Sequence, residues 1–225
     1  MITIHDITMI STKEQLESAV NALGFLPFFT SLIPGFSLRD HADPAIWFAD
    51  DAEGPWEWKA DVGAYGKLLR GKAVFMSPEW YAILACYRRD GYDHEGMYED
   101  GLLPHSALDI MALLEHESII STDLRIRTGL TDKAAGFDKV MNLLQMKCFV
   151  LPTSFEYTFD TKGRRYGWGL ARYTASDRKY GADRGRRKPP LPRRGKGIAC
   201  FPRFGDMPRY GPQDRRKAYK IAVGV

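Results

Sequence analysis

The chain has 225 residues, 44% of them hydrophobic and 27% charged, which is enough apolar material for one large or two small packed domains. Its three cysteines are widely spaced and form no CxxC pair, which argues against a disulfide framework and is typical of a reducing, cytoplasmic setting. There is no run of 18 apolar residues and no basic, apolar leader, so we predict neither a membrane span nor a signal peptide.

The net charge of +4 conceals an uneven distribution along the chain. Residues 178–220 carry 15 Lys/Arg and 3 Asp/Glu, a balance of +12, whereas residues 1–177 have a balance of −8. Residues 177–225 are also rich in Pro and Gly and lack helical or strand periodicity, so we predict a basic, disordered C-terminal tail. The preceding part is mildly acidic, and the pI of about 8.9 therefore does not indicate that this part binds nucleic acid.

Residues 1–100 are predicted to form a small α/β region with two well-marked helices. One runs from Thr12 to Leu23, with a capping box at Ser11 and Glu14, and stops at Gly24. The other follows Ser77 as N-cap with Pro78 at the first helical position. The remaining features are a buried apolar loop at 25–36, short strands at 46–48 and 73–76, and an acidic connector at 92–101.

Two tryptophans, Trp56 and Trp58, stand in the segment Gly54–Lys59, which also has a Gly-Pro turn. In an extended segment both indoles would lie on one side, because side chains alternate along a strand. One interpretation is that both indoles pack in the core or between domains. Alternatively, they form an aromatic pocket that stacks an unpaired base.

Three cations, Lys67, Arg70 and Lys72, follow in a Gly-rich segment at 63–71, which we predict to be a loop. The segment lacks the GxxxxGK[ST] pattern of a P-loop. A solvated loop and a nucleic-acid-binding surface explain these cations equally well.

Residues 101–176 are predicted to form a winged helix-turn-helix domain, which makes the whole chain α+β. Apolar residues recur at helical spacing in three segments: His105–Glu115, Ser121–Thr128 and about Thr131–Lys147. Ser106 and Ser121 are the predicted N-caps of the first two. Alternating residues then predict two strands, at 155–159 and 166–173, joined by a turn at 160–163.

In such folds the third helix enters a DNA groove and the hairpin, or wing, touches the DNA backbone. The predicted DNA contacts are Lys133, Lys139, Asn142 and Gln145 of the third helix and Lys162, Arg164, Arg165 and Arg172 of the hairpin. No metal or cofactor is predicted, because a lone His94 among carboxylates lacks ligand spacing.

Several short segments, in this order along the chain, resemble small bacterial proteins of the AlkZ-related type. They are Gly54–Lys59, Gly71–Ala73, Tyr87–Asp93, Asp100–Leu102, Leu144–Met146 and Tyr166–Gly169. The larger AlkZ/YcaQ family consists of winged-helix DNA glycosylases that excise alkylated or crosslinked bases. The resemblance therefore implies DNA binding, with base excision as a further expectation.

The glycosylases of that family use Gln, an apolar residue, and then Gln or Asp to place and activate the attacking water. The nearest match here is Gln145-Met146-Lys147, in which Lys147 departs from the pattern. An ammonium group cannot accept a proton from water. Gln145 is thus the catalytic candidate that the resemblance supplies, and enzymatic activity stays open.

Three functions are compatible with the sequence. The first is a winged-helix protein that binds duplex DNA without catalysis. The second is a DNA glycosylase in which Trp56 and Trp58 stack an extruded base and Gln145 positions water. The third is a winged-helix module that binds a protein partner, which the acidic balance of residues 1–177 favours.

Overall fold

The computed structural model describes residues 9–29, 33–47, 53–131, 136–162 and 165–181, together with residues 7 and 31. Over these residues the chain is α+β, with helices packed on two three-stranded antiparallel sheets. The helices are α1 (Lys13–Leu23), α2 (Leu38–His41), α3 (Pro55–Trp58), α4 (Pro78–Arg89), α5 (His94–Glu99), α6 (His105–Leu114), α7 (Ser121–Arg127), α8 (Phe137–Met146) and α9 (Ser176–Tyr180). The strands are β1 (Phe25–Pro27), β2 (Ala64–Leu69), β3 (Lys72–Met76), β4 (Ile119–Ile120), β5 (Val150–Phe159) and β6 (Arg165–Ala175).

The first sheet has the order β1-β3-β2, and α1 packs at its β1 edge. Its apolar core is dominated by aromatic side chains, including Phe25, Phe28, Phe36 and Phe75, which are all fully buried. The helix α1 begins with a capping box, as predicted, but this box joins Thr12 to Gln15. The local sequence therefore predicts the helix correctly, but the capping pair lies one residue later than predicted, at Thr12 and Gln15 instead of Ser11 and Glu14.

The second sheet has the order β4-β6-β5 and is covered by α6, α7 and α8. The long hairpin β5–β6 pairs Val150 with Ala175 at its base, and β4 adds to its other edge by pairing Ile119 with Tyr173. A second apolar core lies between this sheet and the three helices, and Met97 of α5 belongs to it as well.

The two cores meet at the junction between α8 and β5. Cys148 and Leu151, which follow α8, are fully buried in the first core, whereas Phe149 and Val150 are buried in the second. The backbone of Cys148 has a positive φ of 61°, which turns the chain sharply between the two. The C-terminal end of α8 is therefore part of the contact between the two cores.

Several predictions for the first 100 residues are wrong. A 3-10 helix at Pro44–Ile46 stands where the strand at 46–48 was expected, and the expected extended segment at 54–59 contains α3. The Gly-rich loop at 63–71 is instead the strand β2 and the start of a tight hairpin. The apolar loop begins with β1, and the acidic connector contains α5, whose N-cap is Asp93.

Three predictions near the second core also need correction. Pro104 and Ile120 occupy the N-cap positions of α6 and α7, so the predicted caps Ser106 and Ser121 are already helical. The third helix starts at Phe137 after a left-handed Gly136, and not near Thr131, because Gly136 with φ of 78° interrupts the helical backbone. Residues 132–135 lie outside the described part.

The predicted disordered tail is wrong for its first residues. The helix α9 crosses the predicted boundary at residue 177 and packs back on the first core, where Tyr180 donates to the carbonyl of Gly63 over 3.1 Å. The remainder of the predicted tail, residues 182–225, lies outside the described residues.

Candidate nucleic-acid interface

The helix α8 exposes one narrow face. Asp138 and Lys139 are exposed and Asn142 is half-buried, whereas Phe137, Val140, Met141 and Leu144 are buried in the second core. The strand β2 covers the C-terminal half of the helix. Lys139 and Asn142 are thus the described α8 candidates that reach solvent, and Lys133 lies outside the described residues.

The charges beside this face are largely neutralised. Arg125 of α7 lies 3.3 Å from Asp138 of α8, and Arg127 lies 2.8 Å from Glu117. The hydrogen bond from Arg127 lowers the pKa of Glu117 below its usual range. The arginines of α7 are therefore occupied by carboxylates and add little net charge to the surface near α8.

Gln145 does not face solvent. It is 3% exposed, its Oε1 accepts from the backbone N–H of Lys67 over 3.0 Å, and its Nε2 donates to the carbonyl of Met141 over 3.2 Å. A Cβ atom at Gly66 would come within 3.0 Å of that Oε1. The side chain therefore locks α8 to β2, and neither a water nor a DNA base reaches it in this arrangement.

The hairpin β5–β6 carries the other predicted contacts. Lys162 is exposed in the turn, and its backbone N–H donates to Oδ1 of Asp160 over 2.8 Å. Arg172 instead bonds Glu156 over 2.6 Å and the carbonyl of Ser118 over 2.8 Å, which ties the hairpin to the chain before β4. Arg164 and the side chain of Arg165 lie outside the described residues.

The two tryptophans have separate environments. Trp58 is 4% exposed in the first core, because the turn of α3 directs it inward. Trp56 is half-buried beside Phe28 and Trp47, with ring centroids 5.3 and 6.1 Å away. The geometry accounts for Trp58 as a core residue and leaves part of Trp56 accessible, so the two do not form one base-stacking pair.

The hairpin also contacts this aromatic group. Tyr157 donates to the carbonyl of Trp56 over 3.3 Å, and the buried Lys59 lies 3.7 Å from the ring centre of Phe155. The ring of Phe155 lies edge-on to Tyr65 of β2. The first half of the hairpin is therefore packed on the first core, and its turn projects beyond that contact.

A buried arginine cluster holds the end of α8. Arg89 is 4% exposed and donates to the carbonyl of Cys148, to Ser176 and to Asp177, and its guanidinium lies over Phe149. Arg88 donates to the carbonyls of Leu68 and Met146, which joins β2 to α8. No local pattern in the sequence indicates these bonds, because their backbone and side-chain acceptors are distant in the chain and are brought together by the fold.

The thiol of Cys148 at this junction is fully buried. Desolvation raises the pKa of Cys148 to about 11, although Arg88 and Arg89 oppose the shift. A protonated thiol is a poor nucleophile. Among the described residues, no group of three or more His, Cys, Asp or Glu is arranged to hold a metal ion, and none of the described helices has the length and hydropathy needed to cross a bilayer.

The fold and this surface define an α+β protein in which a partly exposed helix lies beside a projecting hairpin. The model of the AlkZ-related family matches residues 10–193, so the chain belongs to the AlkZ-related family. This membership confirms the resemblance found in the sequence and connects the chain with the DNA-repair glycosylases after which the family is named. Neither the search of curated proteins nor that of solved structures finds a match.

Proposed function

We propose that residues 101–176 form a winged helix-turn-helix domain that binds duplex DNA through α8 and the β5–β6 hairpin. The order α6-β4-α7-α8-β5-β6 supports the assignment, since it provides three helices followed by a wing. The short strand β4 pairs with β6 at the edge of the hairpin, which completes a three-stranded sheet beneath the helices. Met97 of α5 is buried in the second core too, so α5, which precedes residue 101, packs against this domain.

The observation that carries the proposal is the exposure of Asp138 and Lys139 in the first turn of α8, with the half-buried Asn142 one turn further along. In helix-turn-helix proteins the N-terminal residues of the recognition helix contact base edges. Lys139 and Asn142 reach solvent on this face and carry a donor and an amide suited to bases or phosphates. Lys133 before α8 and Lys162, Arg164 and Arg165 of the wing are the further proposed contacts.

Electrostatics supports DNA binding only when the whole chain is considered. Residues 1–177 carry −8, whereas residues 178–220 carry +12. Phosphate contacts dominate affinity for duplex DNA. We therefore propose that the basic tail supplies salt-sensitive attraction while α8 and the wing set the orientation of the duplex.

Base excision is not part of this proposal. The amide of Gln145 is engaged by two backbone groups, which favours a role in joining α8 to β2. Its catalytic role therefore stays a prediction, tested by incubating the full chain with alkylated duplex DNA and measuring abasic sites. Abasic sites that disappear in Gln145→Glu, with folding intact, would establish the glycosylase function instead.

The proposal is tested by fluorescence anisotropy with a short labelled duplex. Lys139→Gln combined with Asn142→Ala should lower affinity, and the loss of one phosphate contact should reduce the salt slope by about 1. A second variant that lacks residues 182–225 retains α9 and isolates the contribution of the tail. If that deletion abolishes binding and the α8 variant binds like the parent, α8 is not the reader and a protein-interaction module becomes the better account.

A further inference from the structure

The hairpin β2–β3 carries three cations that the proposed α8 and wing surface does not use. Lys67 on β2 and Lys72 on β3 are exposed, and Arg70 is exposed at the turn between them. Among the described residues, neither Lys67 nor Lys72 takes part in a salt bridge, in contrast to Arg125, Arg127 and Arg172. These three residues, called here the basic hairpin, therefore form a concentrated positive surface.

The basic hairpin is attached rigidly to α8. The backbone N–H of Lys67 donates to Gln145, and the carbonyl of Leu68 shares the guanidinium of Arg88 with the carbonyl of Met146. Gly66 allows the close approach, since a Cβ there would come within 3.0 Å of the amide oxygen of Gln145. The cations thus keep a fixed position relative to the helix.

The position suits the edge of a DNA groove. Lys139 and Gln145 are about 9 Å apart along the helix, given a rise of about 1.5 Å per residue. A major groove is about 12 Å wide. When the first turn of α8, with Lys139, lies in the groove, the C-terminal end of the helix and the attached Lys67 lie near the phosphates that border it.

The turn itself has an unfavourable residue. Leu69 pairs with Lys72, so Arg70 and Gly71 form a two-residue turn, and both have positive φ, 50° and 70°. This is the geometry of a type I′ turn, in which Asn, Asp and Gly are preferred at both central positions. An arginine in the left-handed region is strained. The turn geometry alone therefore does not favour arginine at this position.

We propose that the basic hairpin is a second phosphate-binding surface for the duplex held by α8, an inference that rests on the proposed function. Lys67, Arg70 and Lys72 bind the DNA backbone beside the groove that α8 enters. The hairpin thereby supplies cations that α7 lacks, since the arginines of α7 are paired with carboxylates.

The test compares salt dependence in full-length variants that differ only in where charge is removed. Lys67→Gln with Lys72→Gln removes two cations from the basic hairpin. The control, Lys13→Gln with Arg39→Gln, removes the same formal charge from α1 and α2, which lie on the β1 side of the first sheet; Lys13 lies 3.4 Å from Asp61, so this variant also frees one carboxylate. Binding of a short labelled duplex is measured by anisotropy between about 50 and 200 mM salt.

The hairpin variant should lose about 1.8 from the slope of log affinity against log salt, at about 0.9 for each phosphate contact. Affinity at about 150 mM salt should then fall by on the order of 30-fold, and the control should retain the parent slope. Arg70→Asn provides a second arm: affinity should fall while the melting temperature stays the same or rises, because Asn suits the turn better.

The outcomes separate the two proposals. If Lys139→Gln with Asn142→Ala weakens binding and the hairpin variant keeps the parent slope, the basic hairpin is not a phosphate site and the proposed function stands. If the hairpin and control variants lose equal slope, the effect is one of net charge and the inference is overturned. If no variant outside the tail alters binding, both proposals fail.

Discussion

Replacing Gln145 with methionine should destabilise the chain, because the amide joins α8 to β2. Gln145→Met preserves side-chain length and helix propensity, so the main loss is the hydrogen bond to the backbone N–H of Lys67. A donor left unsatisfied in a buried setting costs about 1–3 kcal/mol. We expect the free energy of unfolding to fall by about 2 kcal/mol, measured by urea denaturation followed by circular dichroism.

The control for this prediction is one turn earlier on the same helix. Asn142 is half-buried, and its side-chain amide forms no hydrogen bond among the described residues. Asn142→Leu should therefore alter stability by less than about 0.5 kcal/mol. A Gln145→Met protein as stable as the parent would refute the anchoring role. If that stable variant also lost an excision activity that the parent has, Gln145 would be catalytic.

Other predictions address the junction and an exposed ion pair. Arg89→Met should lower the free energy of unfolding by about 2 kcal/mol, as urea denaturation measures, because it removes the hydrogen bonds of the buried guanidinium to Ser176, Asp177 and the carbonyl of Cys148. Arg127→Gln should raise the pKa of Glu117 toward its usual value, and an NMR titration would detect the change. In the parent, the ion pair stabilises the fold at pH values above the usual pKa of a glutamate, and this contribution is lost as the pH falls through the lowered pKa of Glu117. Cys148 should resist iodoacetamide at about pH 8 in the native chain, because the thiol is buried and its pKa of about 11 keeps it protonated. It should react in urea, where unfolding exposes it, and mass spectrometry locates the label.

Each of these predictions has a contradicting result. An Arg89→Met protein within about 0.5 kcal/mol of the parent would mean that water replaces the guanidinium at the junction. An unchanged Glu117 pKa after loss of Arg127 would show that the ion pair does not persist in solution. Native labelling of Cys148 as fast as in urea would show that the junction opens readily.

The elements that the sequence predicts well have strong local signals. Ser77 and Pro78 mark the start of α4, since one caps the helix and the other is preorganised for its first turn. The β5–β6 hairpin is confirmed because alternating residues flank a turn with Asp160. Where side chain and backbone chemistry act over a few neighbours, the sequence is sufficient.

The elements that were missed depend on distant partners or on competing local signals. The two-residue strand β4 exists because β6 offers an edge, and no pattern that short is distinctive. The segment at Gly54 alternates like a strand, but Pro55 starts a helical turn and Glu57 accepts from the N–H of Gly54 over 2.9 Å. Capping chemistry prevailed there over alternation.

The candidate site was only partly accessible to sequence reasoning. Helical spacing correctly placed Lys139 and Asn142 on α8. It could not reveal that β2 covers Gln145, because Gln145 and its partner Lys67 lie on elements that are distant in the sequence. The same limitation hid the pairing of Arg172 with Glu156. Burial and salt-bridge partners are properties of the tertiary structure, and they decide which cations remain for DNA.

Hydrogen–deuterium exchange of the full chain with and without a short duplex is the most direct test of DNA recognition by α8 and the wing. The account predicts slower amide exchange on DNA binding at residues 137–143 and around the wing turn at 160–162, since these segments would contact the duplex. Protection confined to residues 182–225, with exchange at α8 and the wing unchanged, would contradict it.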